Sequence, residues 1–170
     1  LLFKDQMTIN LSQNSELKID EFVFSNDKNQ ENKLTTSIKK GAFKFISGKI
    51  SDKNPEGMKV KTPKTQIAIR GTSVLGDVQP EAENIVLLDG AIEVASIDNP
   101  AAAQFIDQSG FGVAVDTATG DIAPPQPVDT TSLNTIFKEV NLTETESETS
   151  SQAAPAEKAE SQKLVSSISK

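Results

Sequence analysis

Apolar and polar residues alternate with a period of two through much of the first half of this chain. The alternation is clear in residues 7–11 (MTINL), 17–20 (LKID) and 43–45 (FKF). Successive side chains of a β-strand point to opposite faces of a sheet, so this pattern predicts strands with one face turned to a core. No apolar run approaches the roughly 20 residues of a membrane-spanning helix. We therefore predict an all-β domain with no membrane insertion within this segment.

Two segments with a central glycine align without gaps, residues 37–47 (SIKKGAFKFIS) and 86–96 (VLLDGAIEVAS). Gly41 and Gly90 take the same position, and apolar residues alternate after each of them. A glycine lets a strand bend sharply at positive φ, so each copy is predicted to be strand, bend and strand. Either an internal duplication or the alternation shared by all sheets would produce the match. We predict a solenoid-like or rolled stack of such strand-turn-strand arcs.

The alternate residues that are predicted to point inward from each strand define a candidate core of aliphatic, methionine and phenylalanine side chains. If the arcs are correct, Phe43 and Phe45 share one face of the sheet, and Ile92 and Val94 are buried. The predicted core contains Met7, Ile9, Leu11, Leu17, Ile19, Phe22, Phe43, Phe45, Ile67, Ile69, Leu87, Ile92 and Val94.

The composition changes after residue 97 and indicates three further segments. Residues 98–122 are predicted to add strands that complete the β domain. A Pro-rich spacer and a short docking helix are predicted in residues 123–142. Residues 143–170 are rich in Ser, Thr, Glu and Ala and contain no aromatic residue, so we predict a disordered linker or tail.

The predicted helix has one apolar face. Its apolar residues recur at positions i, i+3, i+4 and i+7, and residues 129–132 (DTTS) before them offer helix-capping side-chain oxygens. Such a short helix is marginally stable alone and needs a docking surface. It either covers an open end of the sheet stack, which we favour, or binds a partner. The apolar residues are Leu133, Ile136, Phe137 and Val140.

The sequence contains no His, Cys, Trp or Tyr. This removes imidazole and thiol catalysis, disulfides and the usual zinc ligands. Residues 116–121 (DTATGD) lack the spacing and distal Glu of a calcium-binding EF-hand, so we interpret them as a β-turn. Carbohydrate processing would need paired carboxylates, and no pair stands out. We therefore predict that the protein is not an enzyme and has no catalytic residue, cofactor or metal site.

Charge is distributed unevenly in this chain of net charge −7. Residues 1–70 carry 13 Lys+Arg against 8 Asp+Glu, a net of +5, whereas residues 71–142 carry 1 against 11, a net of −10. Lysines at outward strand positions indicate a solvated sheet face or a guarded edge. Because Arg and aromatic residues are scarce, we predict no nucleic-acid binding. Lys59, Lys61 and Arg70 are nevertheless candidate contacts for a partner or ligand.

Four motifs in order resemble the FecR-type domain family: residues 14–22 (NSELKIDEF), 40–50 (KGAFKFISGKI), 59–72 (KVKTPKTQIAIRGT) and 86–95 (VLLDGAIEVA). The resemblance covers residues 1–97. It implies an all-β, solenoid-like domain located outside the cytoplasm, either periplasmic or at the cell surface. It also implies that the opening strands of the family are missing before the first residue.

The resemblance assigns an architectural role to the motif glycines and transfers no catalytic residue. These glycines are Gly41, Gly48, Gly71 and Gly90. The signalling members of the family also have a sigma-binding segment and a membrane helix, and both are absent from this sequence. A membrane tether outside this segment is therefore an expectation that the sequence leaves open.

Two functions follow from the resemblance. The first is a regulatory sensor module that contacts a membrane receptor or regulator, as in iron-uptake signalling. The second is a structural or ligand-presenting module of a large surface or secreted protein. In both cases the expected partner is a protein, and the loop Ser25–Lys33, which has no apolar residue, is a further candidate contact.

Overall fold

The computed structural model describes residues 1–27, 30–54 and 56–149, in which nine strands form one sheet and two segments are helical. The strands are β1 (Thr8–Leu11), β2 (Glu16–Val23), β3 (Lys33–Ile46), β4 (Met58–Lys61), β5 (Thr65–Val78), β6 (Ala82–Ser96), β7 (Ala103–Ile106), β8 (Phe111–Asp116) and β9 (Gln126–Pro127). The helices are α1 (Lys49–Lys53) and α2 (Thr130–Thr149). The described part of the chain is thus mostly β-sheet, as the alternation predicted.

Three long strands bend near their middle and divide the sheet into two halves. The bends lie at Gly41 in β3, Gly71 in β5 and Gly90 in β6, where φ is 96°, 60° and 88°. The first half-sheet consists of β2, residues 33–40 of β3, β4, residues 65–70 of β5, residues 91–96 of β6, and β7. The second half-sheet consists of β1, residues 41–46 of β3, residues 73–78 of β5, residues 82–89 of β6, β8 and β9.

Most neighbouring strands pair antiparallel, and β3 with β4 is the one parallel pair among the described strands. β5 and β6 pair antiparallel in both halves, and a short turn joins them, in which the Gln79 N–H donates to the Ala82 carbonyl with an N···O distance of 3.0 Å. The coils of a parallel β-solenoid need longer crossover connections between parallel strands. The predicted solenoid-like stacking is therefore not supported, and the sheet is open, with edge strands at its ends.

The inner faces of the two half-sheets share one hydrophobic core. The predicted core residues are buried or packed against it, with Ile19 as the exception, and Phe43, Phe45, Ile92 and Val94 are fully buried as expected. The buried members are Met7, Ile9, Leu34, Ile38, Phe43, Phe45, Ile50, Met58, Val60, Ile67, Ile69, Val74, Val78, Ile85, Leu87, Ile92, Val94, Ile106 and Val113.

The prediction that Ile19 lies in the core is wrong, since this side chain is 46% exposed. β2 is an edge strand that pairs with β3 alone among the described strands. Its register shifts between Ile19 and Glu21, which is the signature of a β-bulge. A bulge re-aims side chains, and an edge strand has no second neighbour to cover them, so alternation alone could not place Ile19.

Helix α2 covers the outer face of the second half-sheet. Val140 is fully buried there against Ala42, Leu75 and Val86. The other three predicted apolar residues of the helix pack around the same cluster, and the Lys44 ammonium lies 5.6 Å from the centre of the Phe137 ring. The helix thus packs on the outer face of the second half-sheet and not at an open end of a stack.

The helix also extends past residue 142, where the tail was predicted to begin, and ends at Thr149. Residues 143–149 therefore correct the predicted start of the tail. The sequence did not predict this extension, because these residues are strongly polar and contain no apolar residues at helical spacing. The rest of the predicted tail, residues 150–170, lies outside the described residues.

Asp129 caps the first turn of α2. Its Oδ1 accepts hydrogen bonds from the backbone N–H groups of Thr131 and Ser132, both at 2.9 Å, and its Oδ2 accepts one from the Ser132 hydroxyl at 2.6 Å. The Ser132 hydroxyl, and then these N–H groups, lower the pKa of the Asp129 carboxyl. Its charged form is therefore favoured in the folded state.

We expect Asp129→Ala to lower the melting temperature at pH 7, because two N–H groups lose their acceptor. Asp129→Asn should retain most of the stability of the wild type, because the Asn side-chain oxygen can accept the same hydrogen bonds. The folded pKa is depressed, so the charge-dependent stabilisation is complete above the unfolded pKa of about 3.9 and is lost as the pH falls through the folded value. Melting curves followed by circular dichroism should show the advantage of Asp129 over Asn shrinking below about pH 4. An advantage that grows on acidification would contradict this assignment.

Candidate protein-contact surface

In the described part of the chain, no helix covers the outer face of the first half-sheet. The strands bring five residues into one continuous row across this face, from β3 through β4, β5 and β6 to β7. The row, in order, is Thr35, Lys59, Ala68, Glu93 and Phe105. Side chains two residues apart on a strand share a face, so Lys61 lies beside Lys59, and Arg70 beside Ala68.

The structure therefore brings the three candidate contact residues onto one face. Lys59 and Lys61 on β4 are half-buried, and Arg70 is exposed next to the Gly71 bend of β5. Within the described residues none of the three cations makes an ion pair, whereas Lys18 pairs with Asp20 at 2.8 Å. We call this surface, defined by Lys59, Lys61 and Arg70, the basic face.

The field of the basic face reaches the neighbouring strand β2. The Lys18 ammonium and then the Ser37 hydroxyl lower the pKa of Asp20, and the charge of Lys61 adds a smaller effect. Lys61 thus acts on Asp20 from across β3 without a direct ion pair. Cations that keep no carboxylate partner of their own remain available to an external anionic group.

Three alanines and the exposed Glu93 lie between the cations and the β7 edge. Ala68, Ala91 and Ala95 are half-buried on this face, and Phe105 at its end is 56% exposed. Small residues allow close approach of another backbone, and exposed aromatic and arginine side chains are typical of protein interfaces. The face therefore combines three cations, one exposed carboxylate, small side chains and one exposed aromatic ring.

Sequence reasoning did not identify Phe105 as part of this surface. Phe105 and Ile106 are adjacent apolar residues, so alternation does not show which of them faces the core. The structure buries Ile106, at 2% exposure, and leaves Phe105 outside. The pairing of β7 with β6 decides which side chain faces the core. It places Ile106 opposite the buried Ile92, and Phe105 opposite Glu93.

The other candidate positions lie away from the basic face or at its margin. Gly48 precedes α1, and a Cβ there would lie 2.5 Å from both the Asp5 carbonyl oxygen and the Met7 amide nitrogen. Asn32 closes the loop between β2 and β3. Its side-chain Oδ1 accepts a hydrogen bond from the Ser25 N–H at 2.6 Å, and its Nδ2 donates one to the Ser25 carbonyl oxygen at 3.1 Å. Residues 28 and 29 of that loop are outside the described residues.

The described residues offer neither a metal site nor a membrane span. No group of three or more acidic, His or Cys side chains among them is arranged to hold a metal ion. None of the described helices combines the length and apolar character needed to span a membrane.

A bent, open sheet with a helix packed on the outer face of one half places the described part of the chain among small, mostly β domains. The sequence profile of the FecR protein family matches residues 1–93, and the chain belongs to this family. The resemblance inferred from the four sequence motifs is thereby confirmed.

The fold also occurs in solved structures. Two crystal structures of a proposed anti-sigma factor from Parabacteroides distasonis ATCC 8503, at 1.65 and 2.50 Å resolution, each align with a TM-score of 0.60 and 13% sequence identity. The alignments cover 81% of this chain and 59% of the other, so the chain spans about three fifths of that protein. At this identity the likeness concerns the fold alone. No protein with a curated description matches the chain.

Proposed function

We propose that this FecR-family domain is a non-enzymatic regulatory module that acts in signalling through protein-protein contact outside the cytoplasm. Membership of the family and the fold shared with a proposed anti-sigma factor support a regulatory role. The partner is a membrane receptor or regulator, as in the iron-uptake signalling implied by the sequence motifs.

The basic face carries this proposal. Lys59, Lys61 and Arg70 are three cations without ion-pair partners in the described residues, and they lie on a sheet face that no described helix covers. The formal net charge of the chain is −7, so this face departs in sign from the molecule as a whole. A partner surface that carries carboxylates would be steered to this face and oriented on it.

The test uses the full-length protein in its source bacterium. Deleting its gene identifies the transcripts that depend on the protein, and complementation with variants measures which surface is needed. We expect the triple variant Lys59→Glu, Lys61→Glu, Arg70→Glu to reduce the transcript response at least about tenfold, because charge reversal creates repulsion at the contact. Its thermal stability should stay close to that of the wild type, since surface substitutions cost roughly 0.5 kcal/mol or less.

The matched control reverses three exposed lysines elsewhere. Lys4 lies in the N-terminal turn, Lys49 opens α1 and Lys138 lies on α2, so Lys4→Glu, Lys49→Glu, Lys138→Glu changes the net charge equally. This variant should restore the response. Full restoration by the basic-face variant would overturn the proposal, and an unchanged transcript profile after deletion would favour a structural or ligand-presenting module.

A further inference from the structure

The two half-sheets end in four edge strands, and three of these have features that prevent another strand from pairing with them. β1 carries the N-terminal segment, where Leu2 bridges to Thr8 and the Ile9 N–H donates to the Leu1 carbonyl at 2.9 Å. β2 has two register shifts and four charged residues in its sequence ELKIDEFV. β9 has only two residues, and one of them is Pro127. Bulges, charges and proline are devices that prevent another strand from pairing with an edge.

β7 has none of these devices. Its sequence, AQFI, contains no charge and no proline, and its four residues pair with β6 without a register shift. Among the described strands it has β6 as its single neighbour, so alternate N–H and C=O groups face outward along its free side. Phe105 on this strand is 56% exposed, and Ile97, just beyond the end of β6, is 47% exposed.

We propose that β7 is a docking edge that accepts a β-strand from the signalling partner and so extends the first half-sheet. The proposal rests on the proposed function and specifies its mode of contact. A row of outward backbone donors and acceptors is satisfied by another strand, and not by a helix, whose own backbone groups are already paired. The exposed ring of Phe105 favours a β-branched or aromatic side chain directly opposite it on the added strand.

The added strand also explains how β7 and the basic face can act together. Phe105 lies in the same cross-strand row as Glu93, Ala68 and Lys59. A strand next to β7 continues that row, so the partner domain that carries the strand is held against the sheet face that bears the cations. Backbone pairing sets the register, while carboxylates of the partner reach Lys59, Lys61 and Arg70.

The experiment places a photoreactive benzoylphenylalanine at one position at a time in the full-length protein in its source cells. The positions are 105 on the β7 edge, 59 on the basic face and 19 on β2, the blunted opposite edge of the same half-sheet. We expect adducts with the same partner protein from positions 105 and 59 and none from position 19. Mass spectrometry should place the adduct of position 105 on a β-strand of the partner.

Two variants then test pairing at the edge. Phe105→Val keeps a β-branched apolar side chain and should retain the adduct from position 59, whereas Phe105→Lys introduces an edge-blocking charge and should reduce it at least tenfold. Ala103→Lys, another exposed outward position on β7, is a second variant of the same design. Melting curves confirm that each variant is folded.

The outcomes separate this proposal from the proposed function. An adduct from position 59 that Phe105→Lys and Ala103→Lys leave unchanged would overturn strand addition while leaving the regulatory role intact. Adducts from position 105 with a second copy of this chain, or with a helix of the partner, would also overturn it. Loss of the transcript response in the basic-face variant bears on the proposed function alone.

Discussion

Replacement of Gly90 by Ala is expected to lower the free energy of unfolding by at least about 4 kcal/mol, an effect large enough to unfold many domains of this size. Gly90 adopts a φ of 88°, which L-residues rarely adopt. A Cβ at this position would lie 2.3 Å from the Gly71 carbonyl oxygen and 2.8 Å from the Cβ of Thr72. Backbone strain and steric overlap therefore act together, and the bend of β6 cannot relax without separating it from the bend of β5.

Gly71 provides a matched control at the neighbouring bend. Its φ is 60°, but a Cβ added there would meet no atom within 4 Å. Gly71→Ala should therefore cost only the left-handed conformation, about 1 to 2 kcal/mol, and Gly71→Asn less still. Urea denaturation of the three variants gives the comparison. Equal losses for Gly90→Ala and Gly71→Ala would show that the two bends are not held in contact.

Much of the sheet could be predicted from the sequence because strand periodicity is local. The period-two pattern correctly placed Phe43 and Phe45 on one inner face and Ile92 and Val94 in the core. The aligned glycines marked two of the three bends, and the third bend, at Gly71, lies next to the end of the third motif. The arrangement of strands was not accessible, because it depends on pairing between distant segments. The parallel pairing of β3 with β4, for example, joins strands separated by α1.

The candidate surface was predictable to the same limited extent. Lys59 and Lys61 are two residues apart on one strand, so alternation places them on one face. Arg70 joins them only because β4 and β5 pair with Lys59 opposite Ala68. The absence of an ion-pair partner for these cations among the described residues depends on tertiary structure, as does the outward orientation of Phe105.

Glu83 was not singled out by the sequence, yet the structure makes it a connection between the two half-sheets. It lies at the start of β6 in the second half-sheet and is fully buried. Its carboxylate accepts hydrogen bonds from the Thr62 hydroxyl, from the Thr65 hydroxyl at 3.2 Å and from the Lys64 N–H at 3.0 Å. Thr62 and Lys64 lie in the turn between β4 and β5, and Thr65 is the first residue of β5 in the first half-sheet. No cation of the described residues forms an ion pair with Glu83.

We expect Glu83→Ala to lower the free energy of unfolding by about 3 kcal/mol, because two hydroxyls and one N–H lose their acceptor in a buried site. Glu81→Ala removes an exposed carboxylate from the adjacent turn, has the same charge change, and should cost roughly 0.5 kcal/mol or less.

A double-mutant cycle with Thr62→Ala separates the hydrogen bond from simple loss of packing. If the Thr62 hydroxyl stabilises the fold through Glu83, its removal should cost less once Glu83 is already Ala, so the two losses should not add. Additive losses in urea denaturation would mean that each residue contributes through packing alone. The coupling therefore measures directly whether the buried carboxylate holds the β4–β5 turn of the first half-sheet against the second.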